Sequence, residues 1–144
     1  MNASMTDIGA YIKTNNQSIS IQNVDASTDV SGDSVDRQDY LSGVIQAALG
    51  SATGSPSAQT HVFALEESSD DSTFTAALDD DGNAITLTLT ADDTTSELDV
   101  DFSGLKRYLR LTYDASESSF TGGSSPTNDI YANIVLGGAQ SLPV

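Results

Sequence analysis

Three acidic side chains have a spacing that acid–base chemistry uses. Glu97, Asp99 and Asp101 alternate along one segment. On a strand, this alternation places neighbouring carboxylates on one face about 7 Å apart, which is near the separation in the carboxylate pair of a glycosidase. Catalysis also needs one of the two carboxyl groups to be desolvated, whereas acids on a solvated strand face stay ionised. The pattern therefore favours an exposed acidic face, and we predict no catalytic residue in it.

His61 is the only histidine, and the chain has no cysteine. A single histidine excludes a multi-histidine metal site, and the missing cysteines exclude disulfides, zinc–thiolate sites and cysteine nucleophiles. A serine–histidine pair is not indicated, because no serine lies in a G-x-S-x-G motif. We expect His61 at an outward strand position near a loop. The sequence predicts no enzymatic activity, no metal site and no cofactor.

The acidic run Asp79-Asp80-Asp81-Gly82-Asn83 has the composition of a calcium-binding loop. In the register of an EF-hand, however, the first ligand position falls on Ala77 and the twelfth on Thr88, and neither side chain supplies a carboxylate. Aspartate, glycine and asparagine are also the residues that accept the positive φ angles of a hairpin turn. The run therefore predicts a hairpin turn.

Positive charge is concentrated in one segment, where Lys106, Arg107 and Arg110 supply three of the five cations. On a strand, Tyr108 and Arg110 share one face, whereas Arg107 falls on the apolar face and is expected at the strand end with its head in solvent. The cations pair either with the chain's own acids or with an acidic partner. Because arginine and tyrosine are enriched at interfaces, Lys106, Arg107, Tyr108 and Arg110 are the candidate residues for a contact between subunits.

Alternation of apolar and polar residues predicts the elements that carry these side chains. Within residues 96–102, Leu98, Val100 and Phe102 point one way and the acids point the other; residues 85–90 repeat the pattern with threonine as the polar partner. A period of two places the apolar groups on one pleated face, which a second sheet must cover. The sequence thus predicts an all-β, single-domain β-sandwich of jelly-roll-like architecture.

Further strands are predicted at residues 18–24, 61–67, 73–78, 108–113 and 130–136, with loops at 26–36, 50–60 and 116–128. Residues 40–49 fit the spacing of a short helix as well as a strand covered on both faces. We favour a strand because the neighbouring segments are all β. Residues 1–17 are predicted to form a polar, flexible N-terminal arm, and residues 18–144 the sandwich domain.

The composition limits the choice of partners. The 144 residues include 21 acidic and five basic ones, which gives a net charge of −16. Such a surface repels phosphate backbones and anionic lipids, so we expect neither nucleic acid nor membrane as a partner. No run approaches the roughly 20 apolar residues that span a bilayer, and residues 1–17 lack a signal-peptide pattern. Together with the missing cysteines, these features predict assembly in a reducing cytoplasm.

Several segments resemble small structural proteins of tailed bacteriophages. The run Phe63-Ala64-Leu65-Glu66-Glu67-Ser68, followed by Asp70-Asp71-Ser72-Thr73-Phe74, is similar to a strand–turn–strand of these proteins. Residues 101–110 and the ending Val135-Leu136-Gly137-Gly138-Ala139, with Leu142 and Pro143, look like the same family. The resemblance covers residues 40–144, and the first forty residues match poorly.

This resemblance implies a capsid decoration, or cement, protein. Such proteins bind the outer surface of the expanded head, often as trimers at three-fold and quasi-three-fold positions, and stabilise it. The implied partners are the major capsid protein and further copies of the chain, and the implied location is the virion exterior after assembly in the host cytoplasm. Lys106, Arg107, Tyr108 and Arg110 then become candidate subunit or capsid contacts. A carbohydrate-binding sandwich and a phage tail or baseplate protein are the alternatives.

Overall fold

The computed structural model describes residues 12–14 and 18–140, which form two antiparallel sheets. The first sheet contains β1 (Lys13–Thr14), β2 (Ile19–Val24), β5 (Tyr40–Leu49), β9 (Thr95–Asp101) and β12 (Asn128–Ala139). The second contains β3 (Val30–Ser31), β4 (Val35–Asp36), β6 (Ala58–Ser68), β7 (Thr75–Ala76), β8 (Thr86–Leu89), β10 (Tyr108–Tyr113) and β11 (Ser119–Thr121). The described residues contain no helix, and hence none that could span a membrane. The predicted all-β sandwich is confirmed.

Strands that are distant in sequence pair within each sheet. In the first sheet, β12 pairs with β5 on one side and with β1 and β2 on the other, and β9 pairs with β5. In the second sheet, β6 pairs with β7, β8, β10 and β11, while β10 also pairs with β3 and β4. The long strands β5, β6, β10 and β12 therefore form the frame, and the short strands extend it at the edges.

The core lies between the two sheets and follows the predicted alternation. In β10, Leu109, Leu111 and Tyr113 are buried, whereas the residues between them are only partly covered. In the β8 segment, Ile85, Leu87 and Leu89 are buried and the threonines are exposed. Every second residue of these strands is apolar and buried. Burial contributes about 1.5–3 kcal/mol for each large side chain and is the main force that holds the sheets together. All the buried apolar residues belong to a single cluster.

Residues 40–49 form strand β5, as predicted, and Gly43 has a structural role within it. A Cβ atom at this position would collide with the carbonyl oxygen of Val135 and with the ring of Phe102. The Phe102 ring is fully buried directly beyond the end of β9. The absence of a side chain at Gly43 thus makes room for an aromatic ring in the core.

Other boundaries differ from the sequence predictions. The predicted loops at 26–36 and 116–128 contain the short strands β3, β4 and β11, and the predicted strand 73–78 shortens to β7 plus a bridge between Leu78 and Ala84. Loop 50–57 is held by backbone hydrogen bonds from Thr53 and Ser57 to residues 127 and 121. Of the predicted arm, Lys13 and Thr14 pair with β12 as β1, and residues 1–11 and 15–17 lie outside the described residues.

Candidate interaction site

All five cations of the chain meet at one end of the sandwich. This basic end consists of Lys13, Arg37, Lys106, Arg107 and Arg110, which come from β1, from the turn after β4, from the segment directly before β10 and from β10 itself. The ends of β6 and β4 supply the facing acids, Glu66, Glu67 and Asp36. The fold thus collects the whole positive charge of a strongly acidic molecule in one place.

Arg107 precedes β10 and makes the closest ion pair of the site. Its Nη2 donates to Oδ2 of Asp36 at 2.6 Å, and its Nε donates to both carboxylate oxygens at 3.1 Å. The hydrogen bond from Arg107 lowers the pKa of Asp36, and the same bond raises the pKa of Arg107. The Arg107 head is about half exposed (49%) and lies 5.1 Å from the centre of the Tyr108 ring. The predicted position of Arg107 at the strand end is confirmed.

Arg110 belongs to a more covered stack on the outer face of the second sheet. Arg110 and Glu66 are direct cross-strand partners, and Nε donates to Oε2 of Glu66 at 2.7 Å. The guanidinium carbon lies 4.1 Å from the centre of the Phe74 ring, which places the cation between a carboxylate and an aromatic face. A partly exposed ion pair of this kind stabilises a fold by about 1 kcal/mol at most. The stack is therefore better explained as an ordered surface than as a major source of stability.

Lys106 forms a third ion pair, with Glu67. Its Nζ lies 3.1 Å from Oε1 of Glu67, and its backbone N–H donates to the other oxygen of that carboxylate at 2.9 Å. The ammonium group also donates to the hydroxyl of Thr75. All three cations of the predicted cluster thus pair with acids of the same chain, which is one of the two arrangements that the sequence left open. Whether the cluster also contacts another molecule stays a prediction.

The sequence analysis did not identify two members of the basic end. Nε of Arg37 donates to the carbonyl oxygen of Lys106 at 2.8 Å, and Nζ of Lys13 lies 3.4 Å from the carbonyl oxygen of Asp36. Burial lowers the pKa of Arg37, and the charge of Glu67 opposes that shift. Both side chains are distant in sequence from Lys106. Lys13 is brought here by the pairing of β1 with β12, and Arg37 by the pairing of β4 with β10. No local motif marks them.

A surface hollow of about 540 Å³ adjoins the basic end. It is lined by Ile12, Lys13, Asp36, Gln38, Asp39 and Tyr40. The Ile12 side chain is 40% exposed at its rim. This end combines paired charges, the rings of Tyr108 and Phe74, and the apolar side chain of Ile12. Protein–protein interfaces favour arginine and aromatic residues over isolated charges, so the composition is that of a protein–protein contact.

His61 lies elsewhere, and the prediction of an outward position for it is wrong. It lies in β6 with the same alternation as Phe63 and Leu65, and all three side chains are fully buried. A buried imidazole requires hydrogen-bond partners, and His61 has one distant and one close in sequence. Nδ1 lies 3.1 Å from the hydroxyl of Tyr113 on β10, and Nε2 lies 3.1 Å from Oε1 of Gln59, two residues earlier on β6.

The partners of Gln59 determine the protonation of His61. The Gln59 amide nitrogen donates to the carboxylate of Asp92, which can only accept, so Gln59 Oε1 accepts from His61 and from Asn128. Nε2 of His61 therefore carries the proton, and Nδ1 accepts from the hydroxyl of Tyr113. Burial lowers the pKa of His61, against a smaller opposing effect of the Asp92 charge. The ring is a neutral, internal group.

The two acidic motifs occupy exposed positions, as the sequence predicts. Glu97, Asp99 and Asp101 are exposed on β9. The 79–83 run is the predicted hairpin turn: Gly82 has a φ of +83°, and Oδ1 of Asp79 accepts from the backbone N–H groups of Asp81 and Asn83. Within residues 12–14 and 18–140, no group of three or more histidine or acidic side chains is arranged to hold a metal ion.

Comparison of the chain with models of known protein families and with curated proteins finds no match in either case. The fold and the surfaces described above are therefore the basis for a functional proposal.

Proposed function

We propose that this chain is a decoration protein of a tailed bacteriophage, which binds the outer surface of the expanded head and stabilises it by contact without catalysing a reaction. The observation that carries the proposal is the basic end, where the five cations of the chain are gathered and where Arg107 and Arg110 lie against the rings of Tyr108 and Phe74. The resemblance of residues 40–144 to phage structural proteins supports the same function.

The charge distribution explains why this end is suited to docking. A molecule of net charge −16 repels other copies of itself and other acidic surfaces over most of its area. At the basic end, Asp36, Glu66 and Glu67 are each paired with a cation, so approach there costs less electrostatic energy. Arginine and tyrosine at such a place are also the residues that most often dominate binding energy.

Stabilisation of the shell follows from mass action. A protein that binds the expanded shell and not its precursor stabilises the expanded state by RT ln(1 + [L]/Kd), which is about 2.7 kcal/mol for each site when the free protein is at 100 times its Kd. Many sites on one shell act together. We propose that the chain occupies three-fold and quasi-three-fold positions as a trimer, whose subunits meet each other or the major capsid protein through the basic end.

Co-sedimentation tests this proposal. Purified protein is mixed with empty expanded heads, or with unexpanded precursor shells, of the virus that encodes it. We expect a trimer by solution mass and binding to the expanded heads alone. Arg107→Gln should weaken that binding by about tenfold, because it removes a half-exposed cation at the centre of the site.

Ser124→Asp is the matched control. It changes the net charge by the same amount, and Ser124 is exposed in the loop that faces residue 54, at the opposite end of β6 from the basic end. Binding of the native chain to precursor shells as strongly as to expanded heads, or equal binding by the two variants, would contradict the proposal.

A further inference from the structure

The free edge of β9 is a second surface on which another chain could bind. Among the described residues, β5 is the only strand hydrogen-bonded to β9, so one side of this seven-residue strand has no paired strand, although β8 of the second sheet lies close to it. An unpaired strand edge presents backbone N–H and C=O groups that an added strand can satisfy. The side chains beside this edge determine which kind of chain can pair with it.

A hollow of about 570 Å³ opens on the inner side of the same edge, between β9 and the segment that leads into β8. Leu98 and Leu78 line it and are 39% and 49% exposed, and the acids Asp79 and Asp80 also belong to its lining. Leu98 is the cross-strand partner of Ile45, which is fully buried, so it points towards the core side of the sheet. The sandwich is therefore incompletely closed here, and apolar side chains from outside could cover both leucines.

The outer side of the edge is acidic, and two of its acids, Asp99 and Asp101, also border the hollow. Glu97, Asp99 and Asp101 form a row of exposed carboxylates, of which Glu97 accepts a hydrogen bond from Gln46 at 3.3 Å and Asp101 accepts one from the backbone of Ser103 at 2.8 Å. A strand added to β9 places alternate side chains beside this row and the others over the hollow. The row thus selects basic residues at the first set of positions, and the hollow selects apolar residues at the second.

We propose that the β9 edge binds an extended segment of another protein in which basic and apolar residues alternate. A second copy of this chain does not fit, because pairing two β9 edges would place carboxylates opposite carboxylates in a molecule that already repels itself. The proposal goes beyond the capsid function, since it concerns a different surface and its test requires no capsid.

The test uses a synthetic peptide of the length of β9 in which lysine and valine alternate. A control peptide has the same composition with the lysines and valines in separate blocks, so both carry the same charge. We expect the alternating peptide to bind at least about tenfold more tightly. Its binding should slow the hydrogen exchange of β9 backbone amides, as measured by NMR.

Charge reversal on the protein provides the second arm of the experiment. Asp99→Lys should weaken binding of the alternating peptide by about tenfold, whereas Glu117→Lys, at an exposed position outside this edge, changes the net charge equally and should have a much smaller effect. Leu98→Ser leaves the charges intact and should also weaken binding, because it removes an apolar contact in the hollow. Equal affinity for the two peptides, equal effects of the two charge reversals, or unprotected β9 amides would overturn the proposal.

Discussion

A neutral, fully buried histidine makes the stability of this fold depend on pH in a defined direction. His61 donates through Nε2 and accepts at Nδ1, and burial holds its pKa below the ordinary value of 6.5. In the unfolded chain the same side chain takes up a proton at about pH 6.5. Below that pH the unfolded state binds more protons than the folded state, so the contribution of His61 to stability is complete above pH 6.5 and is lost as the pH falls.

We therefore expect the free energy of unfolding to decrease as the pH is lowered from about 7.5 to about 5, by no more than about 1.4 kcal/mol for each pH unit. Urea denaturation of the native chain and of His61→Gln over this range measures the effect. The carboxylates with shifted pKa values, such as Asp36 and Asp70, are displaced downwards from 3.8 and titrate below the window. Because the chain has no other histidine, the variant should lose the slope. Equal slopes for the two proteins would show that His61 is not held neutral.

For single residues, the sequence predicts the alternation of β10 but not the partners of the polar side chains in and beside it. Tyr108 and Arg110 lie on one face, as their spacing requires. Arg110 pairs with Glu66 on β6, 44 residues away, and Arg107 pairs with Asp36 on β4, 71 residues away, so no local pattern identifies these acids. His61 was assigned to the surface because its polarity outweighed its spacing, although Phe63 and Leu65 indicated an inward position.

At the scale of elements, the contact between β5 and the end of β9 depends on one missing side chain. Gly43 lies in a long central strand, where a residue without a side chain weakens the strand unless space is required. Here the Phe102 ring and the carbonyl of Val135 fill the position that a Cβ atom would take. The cost to strand propensity is offset by the burial of an aromatic ring.

Gly43→Ala should destabilise the protein by about 1–3 kcal/mol, because the added methyl group must displace backbone or a buried ring. Gly104→Ala is the matched control: a Cβ atom there meets nothing within 4 Å, and the expected change is within about 0.5 kcal/mol. Urea denaturation measures both. If the two variants unfold with the same free energy, the close packing of Phe102 on Gly43 does not exist in solution.

Long strands were predictable from the sequence and short ones were not. Residues 85–90 and 96–102 carry enough apolar residues for their alternation to predict a strand, whereas residues 40–49 fit a helix as well and are assigned to a strand because their neighbours are β. The strands β3, β4 and β11 have two or three residues each, and they are strands only because β10 or β6 lies beside them. The same holds for the basic end and the β9 edge, which depend on which strands become neighbours.

For the whole molecule, the decisive feature is the separation of charge. The acidic side chains of the described residues occupy exposed or half-exposed positions over the surface, while the five cations are gathered at one end. We expect copies of such a molecule to repel each other less at that end than elsewhere. This charge distribution supports the proposed role, in which the chain coats a larger particle through contacts at one end.

Cryo-microscopy of the mature virion tests the proposed function most directly. The account predicts density for this sandwich on the outer surface of the head, at three-fold and quasi-three-fold positions, with Lys106, Arg107, Tyr108 and Arg110 in contact with a neighbouring subunit or with the major capsid protein. Density for the chain in the tail or baseplate, or a head surface without it, would contradict the account.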